Sequence, residues 1–169
     1  MLYTHILVPT DFSPAANQAL AYAFEEATQH HARLTLLHVL HHHPTMEVYY
    51  IKGAPESRMG LVAEFGGTVP TITPSPPETI RRDYHEEALM QLSELVPPSF
   101  PGVWEPRVVA GDSADTIVQM AGELTVDLIV MGTHGRTGLQ HVLLGSVAEK
   151  VVRLAPCPVL TVRYKAGAA

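Results

Sequence analysis

The sequence predicts a single α/β domain over residues 1–169, built on an open, doubly wound, five-stranded parallel sheet of the Rossmann-like kind. Three observations predict it. Short apolar runs of strand length alternate with helical patterns along the chain, and the helical segments between them are long enough for right-handed crossovers that join parallel neighbours. One run, Leu128 to Met131, is apolar throughout, as a strand covered on both faces must be. In such sheets ligands sit outside the carboxyl ends of the strands near the topological switch point, so function is sought in the loops that follow the strands.

The elements follow in order. Ile6-Leu7-Val8, closed by Pro9, reads as the first strand, and Ser13 with Pro14 supplies an N-cap and a first-turn proline for the first helix. Ala16, Ala19, Leu20, Ala23, Phe24 and Ala27 recur at helical spacing, a small-residue stripe that permits close approach to a sheet. Leu34 to Leu40 is the second strand. From His41 the regular signal lapses among scattered glycines and prolines, which predicts an irregular insertion at about 41–77 of the lid, interface-arm or disordered kind. Ser75-Pro76-Pro77-Glu78 fits a capping box opening a second helix with Tyr84, Ala88, Leu92 and Leu95 on one face, ended by Pro97 and Pro98. Val103 to Ala110 is the third strand, and Asp112 caps a third helix carrying Ala114, Ile117, Val118 and Ala121. The fourth strand, Leu128 to Met131, runs into a glycine-rich stretch. Ser146 then opens a fourth helix with Ala148, Val151, Val152 and Ala155, and Val159 to Val162 is the last strand.

Composition narrows the function classes. Eleven Lys plus Arg against 17 Asp plus Glu give a net charge of −6, and no basic stripe gathers to neutralise a phosphate backbone, so nucleic acid is not an expected partner. The residues after Met1 lack the charged start of a signal peptide, and no apolar run approaches the ~18 residues that span a bilayer, so no membrane partner and a cytoplasmic location are expected. Cys157 is the single cysteine, which excludes an intrachain disulfide, and its Ala155-Pro156-Cys157-Pro158-Val159 setting reads as a small buried hydrophobe.

The chemistry concentrates after the fourth strand. In Gly132-Thr133-His134-Gly135-Arg136-Thr137-Gly138 the absent side chains allow a tight turn and let a ligand approach the backbone. Gly145-Ser146 stands at a helix start, where free N–H groups and the positive end of the helix dipole attract anions and the Ser146 hydroxyl adds a hydrogen bond. The same residues also serve as ordinary turn glycines and an ordinary N-cap.

Gly132-x2-Gly135-x9-Gly145-Ser146 matches the G-x2-G-x9-G-[ST] pattern of the universal stress protein family, in its ATP-binding branch. Ile6 to Ser13, Leu36-Leu37-His38-Val39, Gly111-Asp112, Asp127 to Gly135 and Ala155 to Val159 also resemble family segments, so the resemblance covers nearly the whole chain apart from 41–77. It implies the fold of the adenine nucleotide alpha hydrolase-like group, with strand order 3-2-1-4-5. It further implies that Pro9, Thr10 and Asp11 receive adenine and ribose, Asp11 being the polar anchor, although an Asx turn before Ser13 is the competing role for that carboxylate. Val39 would offer backbone bonds to the adenine edge, Met131 would line the base pocket, and Gly132, Gly135, Gly145, Ser146 and Val147 would meet ribose and phosphates mostly through main-chain N–H groups. Arg136 stands where the family is often basic, and His134 is within the same loop. No Walker lysine is present, so Mg²⁺ or Mn²⁺ is the expected partner of the phosphates of ATP, ADP or AMP. The family also implies a homodimer through the edge strand Val159 to Val162.

The leading expectation is a nucleotide-dependent binding module in stress response, probed by partners that read its nucleotide state. A slow ATP hydrolase is the alternative, for which no committed base is visible, and a flavodoxin-like carrier is opposed by the Pro9-Thr10-Asp11-Phe12-Ser13 segment after the first strand. Ten histidines, among them His30-His31, His38 and His41-His42-His43, raise a metal site that no nearby cysteine or carboxylate group completes.

Overall fold

Five parallel strands in the order β3-β2-β1-β4-β5 form the centre of the molecule, as expected. The computed structural model describes residues 3–40, 78–133 and 144–164, with backbone alone for 78–83, so the insertion and residues 134–143 fall outside the described residues. The elements are β1 (His5–Pro9), α1 (Pro14–His30), β2 (Arg33–Leu40), α2 (Glu78–Glu94), β3 (Trp104–Ala110), α3 (Ser113–Glu123), β4 (Leu128–Gly132), α4 (Ser146–Leu154) and β5 (Val159–Val162).

Strand alternation divides the core into two layers. Ile6, Val8, Leu34, Leu36, Leu128 and Val130 pack beneath α1, whose Ala19, Ala23 and Ala27 let it lie close to the sheet, with Leu92 of α2 beside them. Leu7, Leu37, Val39, Ile129 and Met131 face the other way, against Ala114, Ile117 and Ala121 of α3 and Ala148 and Val151 of α4. Burial of these side chains contributes roughly 1.5–3 kcal/mol for each Leu, Ile or Val before chain entropy is subtracted. Ser13 accepts from the Ala16 N–H as the N-cap of α1, and Asp112 accepts from Asp115 N–H as the N-cap of α3.

Two details depart from the sequence reading. Tyr84, placed on the buried face of α2, is exposed, because α2 reaches the core through Ala88 and Leu92 one and two turns later. Ser146 opens α4 as the sequence reading has it, but the N-cap is Gly145 and not Ser146, the alternative role considered for that serine.

The overlap between strands is uneven. β2 runs beside β3 from Leu34↔Trp104 to Leu40↔Ala110 and beside β1 from His5↔Arg33 to Pro9↔Leu37. β1 meets β4 over a much shorter stretch, Ile6↔Leu128 and Leu7↔Ile129. This short seam lies at the topological switch point, where the chain changes from winding outward through β2 and β3 to winding outward through β4 and β5.

At the amino end of the sheet a polar network fills the core edge. The Asp127 carboxylate accepts from Thr4 N–H at 2.7 Å, Thr4 Oγ1 at 2.6 Å and His5 N–H at 3.0 Å, and these bonds hold its pKa below the usual carboxylate value. Buried Thr35 donates to Glu105 Oε1 at 3.1 Å, which leaves its oxygen to accept from His5 Nε2 at 2.8 Å. His5 Nδ1 then accepts from Arg33 Nη2 at 3.1 Å, and burial, aided by that guanidinium, pushes the His5 pKa below 6.5.

Candidate functional site

At the carboxyl end of β1 the buried Thr10 is fixed by three of its own atoms. Its N–H donates to the Leu37 carbonyl at 2.9 Å, its Oγ1 accepts from Phe12 N–H at 3.0 Å, and its carbonyl meets His38 Nδ1 at 2.8 Å. Phe12 adopts φ 64°, a left-handed conformation that costs a side-chain-bearing residue about 1–2 kcal/mol, and its ring lies 4.5 Å from the His38 ring between centroids. Asp11 Oδ1 accepts from Ser13 N–H at 3.1 Å. The Asx turn weighed from sequence is thus made, and the proposed ribose anchor also fixes the entry into α1.

The β4 side is built differently. Val39 and Met131 bury their side chains in the layer against α3 and α4, so at the crevice rim both offer mainly backbone. A Cβ on Gly132 would lie 3.1 Å from the carbonyl of Ala15, so a side chain here would press on the first turn of α1. Beyond it, Thr133 N–H donates to Val162 O at 2.9 Å, and Gly145 N–H donates to Thr133 O at 2.7 Å. These two bonds pin the N-terminus of α4 against the end of β4. Gly145 caps that helix with no side-chain hydrogen bond, and the exposed Ser146 opens it. Val147 packs at the edge of the α3–α4 core. Lys150, one turn on, pairs with Asp115 at 2.8 Å and Asp112 at 3.5 Å, tying the start of α3 to α4. The Asp115 contact raises the Lys150 pKa.

The fold therefore brings Pro9, Thr10, Asp11, Val39, Met131, Gly132, Gly145, Ser146 and Val147 to one edge of the sheet, around the ends of β1, β2 and β4. His134, Gly135 and Arg136 lie outside the described residues. Sequence reasoning did not assign His38 or Phe12 to the site; the available signal was a histidine set inside a largely apolar run. Of the other histidines, His30 sits 3.4 Å from Glu26 and edge-on to Tyr3, and His31 closes α1 at φ 55°. Among the described residues no three His, Cys, Asp or Glu side chains gather as a metal site. Cys157 is half-buried, and burial raises its thiol pKa. No described helix is long and apolar enough to cross a membrane.

An open parallel sheet whose winding reverses between β1 and β4, with the N-terminus of α4 beside that point, defines the doubly wound α/β class of proteins. Within that class, the model of the universal stress protein family matches residues 2–65 and 68–163, and the chain belongs to that family. It is 31% identical over 167 residues to universal stress protein MJ0531 of Methanocaldococcus jannaschii, covering 96% of this chain and 83% of that one. The solved structure of MJ0577, from the same organism, superposes with a TM-score of 0.71 at 29% identity, over 98% of this chain and 99% of that one. Two more distant structures share the fold at 22% identity: a universal stress protein in complex with cAMP, at a TM-score of 0.61 over 98% of this chain and all of that one, and the Archaeoglobus fulgidus protein in complex with dAMP, at 0.54 over 96% and 99%.

Proposed function

We propose that this chain binds an adenine nucleotide, ATP or its ADP and AMP relatives, in the crevice between the ends of β1 and β4, and acts in the cytoplasm as a nucleotide-dependent binding module of the stress response. The observation that carries the reading is the α4 N-terminus: Gly145 N–H is bonded to Thr133 O at 2.7 Å, and the first turn behind it has no side-chain cap. Backbone donors and the helix dipole converge there on one point, which suits phosphate oxygens. The cAMP and dAMP complexes of distant relatives support an adenine nucleotide as the occupant.

In this reading adenine lies over Pro9, Val39 and Met131, Asp11 takes the ribose, and Gly132, His134, Gly135, Arg136, Gly145, Ser146 and Val147 surround the phosphates. Mg²⁺ or Mn²⁺ arrives on the phosphates and balances their charge. The bond from Ser13 orients Asp11 as an acceptor for hydroxyls, which favours holding a nucleotide over hydrolysing it. The functional unit is one domain with its insertion at 41–77, paired with a second copy through Val159 to Val162.

The test is the small-molecule content of the purified protein. ATP, ADP or AMP released on denaturation, and lost in Gly135→Trp, is the expected result. Protein that releases no nucleotide and shows no thermal shift with ATP and Mg²⁺ would remove the reading.

A further inference from the structure

The register of β1 and β2 is interrupted at one point. Arg33 N–H donates to Thr4 O and Thr10 N–H donates to Leu37 O, which sets the odd-numbered residues of β2 with their N–H and C=O groups toward β1. Continued by one step, the ladder would join Val39 N–H to Thr10 O. Among the described residues that bond is not made, and the pairing of the two strands ends at Pro9↔Leu37. The Thr10 carbonyl instead meets His38 Nδ1 at 2.8 Å. A carbonyl only accepts, so Nδ1 carries the proton. The ring is held by Phe12, whose left-handed backbone is in turn held by the bond from its N–H to Thr10 Oγ1.

We infer that His38 is a positioning residue: its side chain takes the acceptor that would close the last rung between β1 and β2, and so keeps the Val39 N–H facing the crevice as a donor for the ring edge of a purine. The nucleotide half of this inference rests on the proposed function, whereas the latch itself does not. The physical logic is competition for one acceptor. With the imidazole in place, Thr10 O is satisfied locally and the two strands diverge a residue early. Without it, the carbonyl is left without a partner at a buried threonine, at a cost that closure onto Val39 N–H would relieve.

Three measurements on the full chain test it. The ¹⁵N spectrum of histidine-labelled wild type should show His38 as the Nδ1-protonated tautomer, and the Nε2-protonated tautomer would overturn the latch. Amide exchange at Val39, without nucleotide, should slow about tenfold in His38→Phe as the rung closes. It should stay at the wild-type rate in His38→Asn, whose amide N–H stands where Nδ1–H stood. Equal rates in wild type and His38→Phe overturn the inference, and if His38→Phe does not fold, slowed exchange in His38→Asn does so. Affinity for ATP should fall about tenfold in His38→Phe and recover in His38→Asn; equal affinity in wild type and His38→Phe overturns it. Wild type that binds no adenine nucleotide, with the Val39 exchange difference intact, supports the latch and rejects the nucleotide reading.

Discussion

Gly132 and Ala15 approach so closely that a Cβ on the first would stand 3.1 Å from the carbonyl carbon and oxygen of the second. The end of β4 and the first turn of α1 therefore approach at the backbone, and Gly132 helps set the height of α1 above the sheet. Gly132→Ala should destabilise the fold by about 1–3 kcal/mol through overpacking, read as a lower urea midpoint at unchanged slope. An unchanged midpoint would mean that α1 shifts freely.

His5 gives the fold an acid-side slope. Its folded pKa lies below 6.5, so below pH 6.5 the unfolded chain binds a proton that the folded chain resists, and stability falls as the pH drops toward the folded pKa. The slope from this one site is at most about 1.4 kcal/mol per pH unit. His5→Gln, which keeps a donor for Thr35, should flatten stability just below pH 6.5. Asp127 acts in a separate window: its stabilising bonds are lost only as the pH falls below 3.8. A wild-type curve that is flat just below pH 6.5 would remove the His5 assignment.

One substitution separates the turn that Asp11 makes from the ribose contact proposed for it. Asp11→Asn keeps an oxygen to accept from Ser13 N–H but removes the charge, so stability should change by under about 0.5 kcal/mol while ATP affinity falls about tenfold. Parallel thermal melts and calorimetric titrations decide it; unaltered affinity would leave Asp11 a turn residue.

Ser146→Asp should move stability and binding in opposite directions. An acidic first helical residue complements the α4 dipole and stabilises by about 0.3–1 kcal/mol, yet the same charge repels phosphates. A rise in melting temperature without loss of ATP binding would place the phosphates elsewhere.

β5 bonds to β4 through Pro158 O and Val162 O, so the backbone of Val159 and Thr161 points to the open edge. Thr161→Pro removes one outward donor and no bond to β4. It should convert a dimer to monomer in light scattering while far-ultraviolet circular dichroism is retained. A wild type that is already monomeric would dismiss pairing through this edge.

The central strands were legible from the sequence because strands covered on both faces need largely apolar runs, and Leu34 to Leu40 and Leu128 to Met131 provide them. Caps were legible for the same local reason, Ser13 and Asp112 lying directly before their helices. The face of α2 was read one turn too far toward its start, since spacing alone does not say how much of a helix reaches the core. The Thr10–His38 and His5–Thr35–Glu105 contacts were not legible: they join residues 28 to 70 apart and depend on strand register, which the sequence does not print. At the strand ends the residue types indicated a phosphate loop, and the approach of Gly132 to Ala15 adds a packing role that spacing did not reveal.

The short seam between β1 and β4 gives the crevice a mechanical meaning. The strands of the two wings pair directly only at Ile6↔Leu128 and Leu7↔Ile129, and a nucleotide seated across the ends of both strands would act as a clasp over that short overlap. Transient opening between the wings, and with it access for proteases, would become rarer as the clasp is filled. The survival time of the molecule in a cell would then track the supply of the compound it holds.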